Sequence, residues 1–196
     1  GSPTEVIFDG PDNIAVNLVE LTDDDPSSKV GQMKIYTQKN GRTPTGLTPV
    51  VTSAHTTRDI DLDVVFHRKV LQNELLIDEV LSSEEQNEFL QLPRNAKTAV
   101  KFMQGNHMFG KIALSQPLNY ECHDMVPDGI APNIGYISQA FEVHDLGFSE
   151  KAISDLGCEI YNQRRLVDFP GLGQIEIITV RAPGSGALQL IFQSKG

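Results

Sequence analysis

At two places in this chain, 86 residues apart, a strand-like run of apolar and polar residues gives way to helical spacing. Residues 50–57 are rich in Val and Thr and read as a strand. Asp59 then stands where a helix N-cap belongs, and Leu62, Val65, Phe66 and Leu71 follow at a spacing that makes one apolar face. Residues 134–143 and 147–156 repeat the switch from strand to helix. Aligned without a gap, residues 52–60 fall on 138–146, so that Ala54 matches Ala140, Asp59 matches Asp145 and Ile60 matches Leu146. A duplicated unit of this size has an apolar face that it cannot bury alone. The two copies are therefore expected to pack together, and the pocket between them is the expected place for function.

Further strands are predicted over 74–82, 99–104 and 109–115 in the first copy, and over 159–162, 175–181 and 187–192 in the second. Gly105-Asn106 reads as a hairpin turn in which one of the two residues takes a positive φ. Ala182-Pro183-Gly184-Ser185-Gly186 joins the last two strands. Each unit reads β-α-β-β-β. Ahead of both, short apolar runs flank Asp9-Gly10-Pro11-Asp12-Asn13, which signals a hairpin. Residues 22–31 read as a solvated loop, 33–36 as a short strand and 40–46 as a Gly/Thr/Pro-rich connection. The expected layout is a hairpin over 1–21, a linker over 22–48, a first module over 49–118, a loop over 119–133 and a second module over 134–196.

Composition narrows the function classes. The 196 residues suffice for one large domain or two small ones. Sixteen Lys and Arg against 26 Asp and Glu give a formal charge of −10, which disfavours nucleic acid and anionic membrane surfaces as partners. Cys122 and Cys158 lie far apart without metal-site spacing, and no signal-peptide pattern or long apolar run occurs, so the cytoplasm is the expected compartment. No glycine-rich phosphate-binding motif is present, and nucleotide cofactors are not indicated.

The order of elements, with Asp59-Ile60, Phe66-His67 and Val70-Leu71 in the first copy, carries a resemblance. In the second copy the matching residues are Asp145-Leu146, Leu156-Gly157 and Pro183-Gly184-Ser185-Gly186 before Ala187-Leu188-Gln189-Leu190. Residues 49–193 thus resemble the vicinal oxygen chelate superfamily, which includes glyoxalase I, extradiol dioxygenases and bleomycin-resistance proteins. The resemblance implies an α+β fold in which paired βαβββ modules form a cup-shaped eight-strand sheet. The opening hairpin resembles the tail of such a module, which implies a further unit upstream in a longer protein.

The resemblance also implies a divalent metal in the cup, held by a His near the start of a first strand and a Glu on a last strand. The corresponding positions here are Thr52, Ser138, Gln189 or Leu190, and Asn17 in the opening hairpin, which are poor ligands for Fe, Mn, Ni or Zn. No metal cofactor is therefore predicted. The expected activity is binding of a small organic molecule, and the alternative is a metal-dependent dioxygenase, lyase or isomerase. Alternation places Thr52, Ala54 and Thr56 on the cup face, and His55 on the opposite face beneath the helix; His55 is the ligand to recruit should a metal be found. Glu142, sharing a face with Tyr136, Ser138 and Ala140, is the candidate general base. Lys111 and Gln189 are expected to reach the cup as well, with Lys111 attracting an anionic group or pairing with Glu142. Loop 117–133, with Cys122 and His123, is a candidate lid. His67 and Arg181 are expected at the surface, and exchange of units between chains leaves a homodimer open.

Overall fold

The computed structural model describes residues 4–11, 14–40, 43–135 and 137–195. Strands β1 (Thr4–Asp9) and β2 (Ala15–Glu20) form an antiparallel hairpin that is a sheet of its own. Helix α1 (Lys29–Asn40) follows. The first module comprises β3 (Thr52–Thr56), α2 (Ile60–Lys69), β4 (Glu74–Leu81), α3 (Glu84–Phe89), β5 (Thr98–Gln104) and β6 (Lys111–Pro117). The second comprises β7 (Ser138–Glu142), α4 (Leu146–Asp155), β8 (Ile160–Phe169), β9 (Gly173–Arg181) and β10 (Leu188–Ser194). The two sheets run β3-β6-β5-β4 and β7-β10-β9-β8, each with its first strand parallel to its last. The topology is thus the same in both, as the duplicated sequence demands.

The two helix starts match closely. Asp59 has φ −136° and ψ 98°, and Asp145 has φ −137° and ψ 100°. Each carboxylate accepts the N–H three residues on, from Leu62 and from Phe148, at 3.0 Å. A cap of this kind stabilises a helix by about 1 kcal/mol. The next free amide is served by the module's own last strand: Ile60 N–H donates to the Gln116 amide oxygen at 2.9 Å, and Leu146 N–H to that of Gln193 at 3.0 Å.

Helix α2 serves two cores. Its Ile60 and Val64 pack with Met103, Ile112 and Leu114 of its own sheet. Its Phe66, together with Val70 and Leu71, packs instead with Leu146, Ile153, Ile178 and Ile191 of the second module. Phe66 and Ile191 are fully buried, and a side chain of this size stabilises the assembly by about 2–3 kcal/mol when buried. The helices cover one face of each sheet, so the opposite faces form the inside of the cup. Ser53 and Gln139, matching positions in the duplication, meet on the helix side, with the Gln139 amide donating to the Ser53 hydroxyl at 3.0 Å.

Several expectations are corrected. Residues 29–40 form a helix, where a loop and a short strand are expected. Ser28 starts it by accepting the Gly31 N–H at 2.9 Å, and Met33 and Thr37, one turn apart, turn inward together. Tyr36 of α1 packs edge-on against Phe109 with ring centres 5.0 Å apart, so the helix sits on the β5–β6 turn. The polar segment after β4 contains α3, opened by a capping box in which Ser83 and Gln86 satisfy each other's amides. In the β5–β6 turn the positive φ falls on Gly110 (73°), not on Gly105 or Asn106. Strand β8 reaches Phe169, well past the expected end at 162. Among the described residues no helix is long and apolar enough to cross a membrane.

Candidate functional site

A cavity of about 560 Å³ lies at the C-terminal end of β3, where it meets the N-terminal ends of β7 and β10. The first module contributes His55, Thr56, Arg58 and Gln116. The second contributes Ile137, Arg181, Ser185 and Leu188. Loop 119–133 forms the outer wall with Tyr120, Cys122, His123 and Met125. Arg58 ties the parts together. One guanidinium nitrogen bonds Asp124 of the loop at 3.1 Å, and the other donates to the Ser185 carbonyl of the β9–β10 turn at 3.1 Å. Tyr120 is anchored through its hydroxyl to Thr98 at 2.9 Å. Arg181 donates to the Gly186 carbonyl at 2.9 Å, approaches Glu159 at 3.5 Å and lies over the Tyr161 ring.

Beneath this cavity the modules are clasped by Asp63 of α2, which is wholly buried. Its Oδ1 accepts the Gly184 N–H at 2.8 Å and the Ser185 N–H at 3.3 Å across the module boundary. Only glycine fits at 184, because a Cβ would lie 2.0 Å from the Asp59 carbonyl oxygen. Burial works to raise the Asp63 carboxyl, but the neighbouring His55 and Thr57 side chains and the Gly184 N–H outweigh it and hold the group below the usual aspartate range. At 3.9 Å the His55 Nε2 is at ion-pair distance from Asp63 Oδ2, longer than a hydrogen bond. The position matching Asp63 in the second copy is Ser149, whose hydroxyl donates to the Val70 carbonyl at 2.7 Å, again across the boundary.

The residues expected from sequence divide between the two ends of the cup. Thr56 is exposed on the concave face and lines the cavity, and Ser138 stands in register with Leu188 at the same end. Thr52 and Lys111 pair in register at the other end, four residues or roughly 13 Å along the strand. The Lys111 ammonium donates to the Met108 carbonyl, and burial lowers its pKa. It does not pair with Glu142. Glu142 is exposed at the end of β7 and accepts the Ser194 hydroxyl at 2.6 Å, so the apolar enclosure that a base role requires is missing. Gln189 is 1% exposed and shares a face with Ile191 and Gln139, under the helices. It does not enter the cup; Leu188, Leu190 and Phe192 face inward instead. Tyr136 lies outside the described residues. His55 is on the helix-packed face, as alternation requires, yet the strand end brings it to the cavity floor.

Two surface assignments also change. His67 is 1% exposed, with its ring edge-on to Phe66 and Phe141. Arg181 is half-buried and lines the cavity. Arg58 and Asp63 are absent from the sequence-derived candidates. Asp63 had one available signal, an acidic residue on the apolar face of an amphipathic helix.

The cup does not fit the divalent metal that the fold family implies. Its inward residues on the paired stretches of the first and last strands are Thr52, Ala54 and Thr56, Ser138 and Ala140, Lys111, Ala113 and Ser115, and Leu188, Leu190 and Phe192, with Glu142 the one carboxylate among them, at the far end. Among the described residues no three His, Cys, Asp or Glu side chains gather as a ligand set.

Solved structures share this fold. A glyoxalase family protein from Bacillus cereus superposes on 80% of the chain and on 100% of its own, with a TM-score of 0.63 and 16% identity. Glyoxalase I from Zea mays covers 98% of the chain at a TM-score of 0.54 and 15% identity. The chain spans 55% of that protein's length. No protein-family model and no curated protein sequence matches the chain.

Proposed function

We propose that this chain, built on the vicinal oxygen chelate fold, binds a small organic molecule in the cavity at the module boundary, without a divalent metal. One observation carries this reading. The cavity, about 560 Å³, draws its walls from both modules and from loop 119–133. That volume is in the range of small-molecule sites, and apolar walls with a few placed polar groups are their usual composition. Pro117, Met125, Val126, Ile137 and Leu188 supply apolar surface, and His55, Thr56 and Tyr120 supply polar atoms. Among the described residues no three His, Cys, Asp or Glu side chains gather as the ligand set that a metal-dependent dioxygenase, lyase or isomerase needs, so that alternative has less support.

Two measurements test the proposal. A fragment screen by thermal shift is expected to return hits that raise the melting temperature and are lost in Ala187→Phe, which fills the cavity. Hits unaffected by that substitution would place binding elsewhere. Elemental analysis of purified protein is expected to find no stoichiometric Fe, Mn, Ni or Zn, and chelator is expected to leave melting unchanged. A near-stoichiometric metal whose removal lowers melting would refute the metal-free part.

A further inference from the structure

The side chain of His55, at the cavity floor, is 11% exposed. Neither of its ring nitrogens has a hydrogen-bond partner, and neither does the Oδ2 of Asp63 behind it. Buried polar atoms left this way are uncommon, and each calls for an explanation. Here they form an ordered series. The Asp63 carboxylate is fixed through Oδ1 by two amides of the second module, its free oxygen lies 3.9 Å from His55 Nε2, and the imidazole stands between that carboxylate and the cavity. The imidazole thus has a ring nitrogen left without a partner and able to accept a hydrogen bond or a proton from a ligand.

We propose that His55 is the proton acceptor for a weakly acidic hydroxyl, a phenol or an enol, carried by a largely apolar ring molecule in this cavity. The inference rests on the cavity being a small-molecule site. Nε2 is the nitrogen at 3.9 Å from Asp63 Oδ2; Nδ1 is likewise buried without a hydrogen-bond partner, so a small ring movement that brings it to the cavity breaks no hydrogen bond. In the step, the ligand's O–H bond breaks, the proton passes to Nδ1, and the oxygen keeps the electron pair as phenolate or enolate. No other reagent is consumed.

The polar surroundings favour a hydroxyl over a carboxylic acid. A carboxylic acid is already ionised at neutral pH and has no proton to give. It would need an uncommitted cation, and both cavity arginines are engaged, Arg58 with Asp124 and the Ser185 carbonyl, Arg181 with Glu159 and the Gly186 carbonyl. The other titratable groups that line the cavity with His55 are Tyr120, Cys122, His123 and Asp124 of the loop, and His67 of α2 lies within electrostatic reach of it.

The test uses 4-nitrophenol, whose anion is yellow, and its methyl ether 4-nitroanisole, which has no proton to lose. Both are titrated against the protein at a pH below the phenol's own pKa, where the free phenol is mostly protonated. Bound 4-nitrophenol is expected to absorb as the phenolate and to bind about tenfold or more tighter than the ether. In His55→Gln the two probes are expected to bind alike, with the phenol left protonated. Equal binding of both probes to the unaltered protein without ionisation overturns the proposal and leaves the small-molecule reading intact. Ionisation that persists in His55→Gln overturns it as well. Failure of both probes to bind also overturns it, and the fragment screen then decides the cavity reading separately. The comparison of the two probes on the unaltered protein stands even if the variant does not fold.

Discussion

Replacing Asp63 with Ala tests how the two modules are held together. The substitution strands the Gly184 and Ser185 N–H groups, both buried, which now donate to Oδ1 at 2.8 and 3.3 Å. An orphaned buried donor costs roughly 1–3 kcal/mol, and bonds to a charged acceptor lie at the upper end. The 3.3 Å bond is the weaker, and removing a buried charge returns some of its desolvation cost. The net loss is therefore expected to be about 3 kcal/mol, or a fall in Tm of about 6–12 °C for a chain of this size. Ser149→Ala is the internal comparison, since it occupies the matching position and gives up one neutral bond to the Val70 carbonyl. Its loss is expected to be about 1 kcal/mol. The two variants would be measured by urea and thermal denaturation in the same buffer. Because the folded Asp63 titrates below its unfolded value, its contribution is present above about pH 4 and fades as pH falls further towards the folded pKa. Asp63→Ala should thus lose part of the acid limb of the stability profile. Equal and small losses for the two variants, under about 1 kcal/mol each, would refute the clasp.

Two more outcomes follow from the geometry. Burial holds the His67 imidazole down at about 4, with Asp63 opposing and His55 adding to the shift, so the unfolded chain takes up a proton that the folded chain refuses. Stability is expected to fall by an amount on the order of 3 kcal/mol as pH drops from about 6.5 to 4, and His67→Phe should flatten that slope; an unchanged slope would contradict it. In the β1–β2 hairpin Val6 is 53% exposed and Phe8 45% exposed on the same face. A two-stranded ribbon without a covering layer is marginal in water, so its amides should exchange with deuterium much faster than those of β9, and comparable protection would show that the face is covered in solution.

Much of the architecture was legible because it is written twice. The caps at Asp59 and Asp145 and the strand-to-helix switch follow from local pattern, and the alternation in β3 correctly assigns Thr56 and His55 to opposite faces. Helix α1 was not legible, since its inward residues Met33 and Thr37 are few and its remaining positions polar. The capping box at Ser83 and Gln86 was a usable signal for α3. Gln189 shows a different limit. Its place between Leu188 and Leu190 fixes that it opposes them, but not which face is inside, and the choice was settled by Ile191 joining the helix-side core. Which end of the cup stays open depends on loop 119–133 and on Arg58 reaching across to Asp124, contacts between segments far apart in sequence that no periodicity records.

The division of α2 between two cores bears on how the chain is made. Phe66, Val70 and Leu71 are covered by residues as late as Ile191. During synthesis the first module therefore leaves the ribosome with that apolar stripe bare, and it stays bare until the second module has followed. At about 5–20 residues per second this wait is roughly 4–15 seconds, long compared with helix and hairpin formation, and for that time the nascent first half is a natural client for a chaperone.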